Sequence, residues 1–153
     1  MAIPIIACGF GELVGGRTAP RLLPELEVIR FITSVQRAKI EIPLLLSGSQ
    51  PDPGVDNVGT QNFSSPPKAV IFGRGFNSEN VDDIRQACGG HASNVSWVHS
   101  MSHGSGAGQV KAPDSKDTTS LDAYAELTAA QVKAVLLDLK ARGILGIEGV
   151  HVY

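Results

Sequence analysis

The chain has 153 residues, with 13 Lys and Arg against 15 Asp and Glu for a net charge of −2, which suits one domain with a substantial core. Its charges are interspersed, which leaves no basic footprint for a nucleic acid polymer or an anionic membrane surface. No apolar run approaches the roughly 20 residues of a spanning helix and Met1 to Pro4 hold no basic leader region, so a cytoplasmic protein is expected, with Cys8 and Cys88 as core thiols of a reducing compartment.

In chain order, the first apolar run, Ile3 to Cys8, reads as a buried strand that breaks into Gly9-Phe10-Gly11. A helix follows from about Glu12 to Leu23, with Leu13, Gly16, Ala19, Leu22 and Leu23 toward the sheet. Pro20 should bend it and Pro24 should help to end it. Val28 to Thr33 is the second strand, and Arg37 to Leu46 offers a shorter helix whose apolar face is Ile40, Leu44 and Leu45. The stretch at about 48–67 is rich in Ser, Gly, Pro, Asp and Asn and is expected to be a flexible loop with no apolar periodicity to pack.

Ala69 to Phe72 forms a third strand, after which Asn77 or Ser78 caps a helix that Gly89-Gly90 ends, its inward face being Val81, Ile84 and Cys88. Val95 to Val98 is the fourth strand, and a second polar loop covers about 101–119. The strongest helical spacing joins Leu121, Tyr124, Thr128, Val132, Val135, Leu136 and Leu139, with Gly143 as terminator. Thr128 to Gln131 also fits an internal capping box, so two helices in tandem would satisfy the same pattern. The terminal Val150 to Tyr153 reads as a half-buried edge strand. Strands alternating with helices predict one α/β domain over 1–153, three-layered and Rossmann-like or flavodoxin-like, with four to five mostly parallel strands and helices on both faces.

In such folds ligands sit beyond the carboxyl ends of the strands. Three strand ends here run into glycine: Gly9-Phe10-Gly11, Gly73-Arg74-Gly75, and the loop from His99 to Gly106 that includes His103. Gly9, Phe10 and Gly11 would cradle a phosphate on backbone N–H groups at the start of the first helix, or simply make the turn. The dinucleotide fingerprint is displaced, since Val14 stands where a third glycine belongs and Gly15 and Gly16 follow it. Arg74 between Gly73 and Gly75 would hold a donor fork over an anion.

The second strand ends without the acid that holds the ribose of NAD; Ser34 and Arg37 suit the 2′-phosphate of NADP, or else cap and solvate a helix start. His99 or His103 would be the acid or base. Their surroundings supply no third ligand, so no metal is expected. No Tyr-x-x-x-Lys pair links Tyr124 to Lys133, which argues against a short-chain reductase.

The opening Ile3 to Gly9, the segment Glu41 to Gly48, the strand region Pro66 to Gly73 and the ending Gly149 to Tyr153 together resemble a group of small, largely uncharacterised fungal proteins described as truncated NAD(P)-binding Rossmann-like domains. The resemblance implies a Rossmann-like scaffold that binds NAD(P), of which Ser34 and Arg37 would favour NADP, and an oxidoreductase-like or accessory role in metabolism. Two functions therefore stand side by side: a nucleotide-binding enzyme acting on a small anionic molecule, and a binding or assembly module, working as a homodimer or with a partner, that kept the scaffold without the cofactor.

Overall fold

A computed structural model describes residues 2–10, 12–51, 58–73, 75–90, 95–100 and 118–153. Nine elements alternate along the chain: β1 (Ile3–Cys8), α1 (Glu12–Leu22), β2 (Leu26–Ile32), α2 (Val35–Leu46), β3 (Ala69–Phe72), α3 (Ser78–Cys88), β4 (Ser96–His99), α4 (Thr118–Ala141) and β5 (Gly149–Val152). All strand pairs are parallel and the order across the sheet is β2-β1-β3-β4-β5. The expected three-layer α/β domain is therefore the fold, with β1 inside the sheet and the terminal strand at its edge.

Strand residues divide the core in two because successive side chains point to opposite faces. Ile6, Cys8, Val70, Phe72 and Trp97 meet Ala38, Ile42 and Leu45 of α2 and Val81, Ile84 and Cys88 of α3. On the other face Ile5, Val28, Phe31, Ile71 and Val98 meet Leu22 of α1 and Ala129, Val132, Leu136 and Leu139 of α4. From β3 onward each strand is added on the same side, yet α3 and α4 cover opposite faces. The β4-α4-β5 crossover therefore has the opposite hand to β3-α3-β4, a rare departure from the uniform hand of parallel connections. Its effect is local: on β5, Gly149 and His151 are the more covered positions, while Val150 and Val152 stay 44% and 43% exposed on the face that α4 leaves bare.

Three expectations change in detail. The sheet side of α1 carries buried Gly15 while Gly16, Leu13 and Leu23 are exposed, a shift of the face by one position. On α2 the buried residues are Ala38, Glu41, Ile42 and Leu45, and Ile40 is 65% exposed. Glu41 goes inward because Arg30 of β2 lies beneath it (below). The last helix is continuous from Thr118, so no tandem pair forms, and Gly143 beyond its end takes a φ of +73° that glycine adopts at no steric cost.

Of the two polar stretches, 52–57 and 101–117 lie outside the described residues. The second half of the first stretch does pack: Thr60 and Gln61 donate backbone hydrogen bonds to Val28 and Ile29 at 2.9 and 3.0 Å, and Val58 and Phe63 rest on the two core clusters. Unpaired carbonyls along the outer edge of β2 give this segment the partners that its sequence does not announce.

A buried ionic cluster joins β2 to α2. Arg30 is fully buried, and its Nε donates to Glu41 Oε1 at 2.7 Å while an Nη donates to Gln61 Oε1 at 2.9 Å. Arg37 approaches the same carboxylate from the next helical turn, with Nε donating to Oε2 at 2.7 Å. Burial opposes ionisation of Glu41, but hydrogen bonds from Arg37 and Arg30 and their charges outweigh it, so its carboxyl is held below the usual range.

Candidate functional site

In the order β2-β1-β3, the helix after β1 covers one face and the helix after β3 the other, so a crevice is expected where the carboxyl ends of β1 and β3 meet. The turns there interlock. Gly73 N donates to Cys8 O at 2.8 Å, and Phe76 N donates to Gly73 O at 3.1 Å. Phe10 lays its ring on Phe76, centroid to centroid 4.3 Å and 6° from parallel. That position requires glycine beneath it, because a Cβ on Gly75 would lie 2.4 Å from the Phe10 ring. Phe10 is still 54% exposed. Two of the three expected loop ends, Gly9 with Phe10 and Gly73 with Gly75, thus meet, with an aromatic stack as their centre; Gly11, Arg74 and the third loop from 101 onward lie outside the described residues.

Gly9 and Gly15 serve one side chain. A Cβ on Gly9 would approach the Phe31 ring at 3.2 Å, and one on Gly15 at 2.4 Å. Gly15 therefore takes the close helix-to-strand contact that a third fingerprint glycine would make, and Gly16, with nothing within 4 Å of its Cβ position, has no such task.

The Ser34 and Arg37 pair stands at the start of α2, just past the carboxyl end of β2, where Ile32 O accepts from Gly9 N of the rim at 2.9 Å. Ser34 caps the helix by accepting from Arg37 N at 3.1 Å, and the Arg37 guanidinium donates to Glu41 and to Thr33 Oγ1, the latter at 3.1 Å. Both groups make intrachain bonds that hold α2 on β2. His99 stands at the end of β4 in register with Phe72, on the α2–α3 side of the sheet, and its Nδ1 is 3.2 Å from Ser100 O. A carbonyl can only accept, so this contact places the proton on Nδ1. His103 is outside the described residues.

Below the rim, between the sheet and the pair α1 and α4, lies a cavity of about 600 Å³, within the range of small-molecule sites. Its mouth includes Gly9, Phe10, Gly73 and Gly75; Ile5, Val28 and Ile71 form its sheet wall, and Leu121, Tyr124, Thr128 and Val132 of α4 its outer wall. Its polar groups are hydroxyls. Thr18 donates to Val14 O at 2.8 Å, and Tyr153 donates to Phe72 O at 2.8 Å across the top of the sheet. Among the described residues none that lines it has a charged side chain. No family model, curated protein or solved structure matches the chain. The site must be read from its own chemistry.

Sequence reasoning placed Tyr124, Thr128 and Val132 in the core stripe of α4 and gave them no ligand role. Their signal was two hydroxyls four residues apart within an apolar stripe, which on a helix share a face. Cys8 also touches the cavity, but burial pushes its thiol far up, and that of Cys88 up to about 11; both are inert as nucleophiles near neutral pH. Among the described residues no group of three His, Cys, Asp or Glu could hold a metal, and no helix is long and apolar enough to cross a membrane.

Proposed function

We propose that this chain is a small-molecule-binding α/β domain whose ligand enters between the carboxyl ends of β1 and β3 and lodges between the sheet, α1 and α4. One observation carries the reading: the mouth of the 600 Å³ cavity coincides with the crevice of the doubly wound sheet. Hydroxyls and apolar walls are groups suited to holding a ligand.

Nucleotide binding is the second reading. It is favoured by the strand order and by Gly15 taking the packing role of a fingerprint glycine. For NADP, Arg37 would have to exchange Glu41 and Thr33 for the 2′-phosphate.

A fragment library titrated into ¹⁵N-labelled protein tests the first reading, with shift changes expected at Ala7, Val14, Thr128 and Val132. Changes confined to Ser34 and Arg37 on adding NADPH would favour the second. No saturable change around the cavity with any compound would overturn the first.

A further inference from the structure

The chemistry of the walls narrows the ligand, granted the binding reading above. We infer that the cavity takes an uncharged, mostly hydrocarbon molecule carrying a carbonyl or hydroxyl oxygen, of the size of a medium-length alcohol, ketone or small isoprenoid. A charged head drawn inside would lose its hydration, and the described walls offer it no charged side chain. A hydrocarbon body meets Ile5, Val28, Ile71, Leu121 and Val132, where water makes few hydrogen bonds and its displacement is favourable.

A single oxygen on the ligand has hydroxyls to meet. Thr128 and Tyr124 lie one turn apart on α4 and both line the space. A hydroxyl has one donor and two acceptor positions, and so serves more than one partner. The volume suits that size: about 600 Å³ lies within the range of small-molecule sites and is ample for a chain of about ten carbons.

The test uses the intact protein and N-phenyl-1-naphthylamine, a neutral dye that brightens in apolar surroundings, with decanol, decanoate, decylamine and NADPH as competitors below their aggregation limits. Saturable dye binding is expected, with decanol displacing it at a concentration at least tenfold below decanoate or decylamine. Thr128→Val should weaken decanol several-fold more than it weakens the dye. Val132→Trp should fill the cavity and abolish dye binding; should that variant fail to fold, Leu13→Trp at the exposed mouth should reduce it instead.

Decanoate or decylamine competing as well as decanol would overturn the uncharged class while leaving the site intact. Decanoate displacement that is lost in Arg74→Ala would replace the inference with an anion at the rim. Dye binding that does not saturate, or that ignores both tryptophan variants in folded protein, would remove the binding reading itself.

Discussion

Replacing Glu41 by Leu should be among the most damaging single changes in this chain. Arg30 is fully buried, and Glu41 supplies the carboxylate 2.7 Å from its Nε. Arg37, which sends a second 2.7 Å bond to the same group, is partly solvated. Removing one partner of a buried ion pair costs about 3–5 kcal/mol, because the remaining charge stays out of water. Against a total stability of about 5–15 kcal/mol that is a large share, and for a chain of this length it corresponds to a fall in Tm of roughly 6–20 °C. Arg30→Met with Glu41→Leu should recover most of the loss and lie within about 1 kcal/mol of the native chain, since well-packed apolar residues replace such pairs at little cost.

Urea unfolding followed by fluorescence of Trp97, the one tryptophan in the chain and fully buried, measures both. The pH dependence gives an independent check. In the fold the Glu41 carboxyl sits below its ordinary 4.5, so its contribution is complete above that value and fades as the pH falls through the lower folded value. The native chain should therefore lose stability more steeply than Glu41→Leu on acidification. A loss under about 1 kcal/mol for Glu41→Leu, or a double variant as unstable as the single one, would refute the buried-pair argument.

Adjacent glycines should respond with opposite signs. Gly15→Ala drives a methyl to 2.4 Å from the Phe31 ring and should destabilise by about 1–3 kcal/mol, whereas Gly16→Ala meets nothing and should stabilise by about 0.5–1 kcal/mol; thermal melts showing equal effects would contradict the geometry. Native protein at pH 8 should react negligibly with a thiol reagent such as dithionitrobenzoate and release two equivalents in denaturant, because burial raises both thiols. Rapid labelling of the folded state would mean that Cys8 or Cys88 is reached through an opening of the core. Tyr153→Phe removes the bond to Phe72 O and should cost about 0.5–1.5 kcal/mol in the same urea assay.

The strands were legible because parallel strands buried on both faces are short apolar runs punctuated by Gly, Pro and polar loops. Ile3–Cys8 and Ala69–Phe72 fall where the sequence puts them. Helix faces were less legible. Reading α2 by hydropathy turns Ile40 and Leu44 inward, yet Glu41 is the buried residue, because its partner Arg30 belongs to a strand eleven residues earlier and the pair exists only once β2 and α2 are packed. The rim was legible in part, since glycines at strand ends in a parallel sheet come together by topology. The cavity was not, because a gap between α1, α4 and the sheet is a property of side chains that stop short of one another. The bonds of Ser34 and Arg37 within the chain were legible in part, since Arg37 and Glu41 stand four apart on α2, a spacing that puts an ion pair on one helix face, and Ser34 stands at the helix start.

The reversed hand of the β4-α4-β5 crossover gives the cavity its outer wall. Had α4 followed α3 over the same face, Val150 and Val152 would have gained a cover and the face holding Ile5, Val28 and Ile71 would have been left to α1 alone. The chain leaves two valines in water and obtains a walled, open-mouthed compartment in exchange. The dimensions of that compartment are then set by one helix anchored at the sheet margin, so the side chains of α4 facing inward, Leu121, Tyr124, Thr128 and Val132, are the positions at which drift in sequence would retune the compartment's capacity without disturbing the order of the strands.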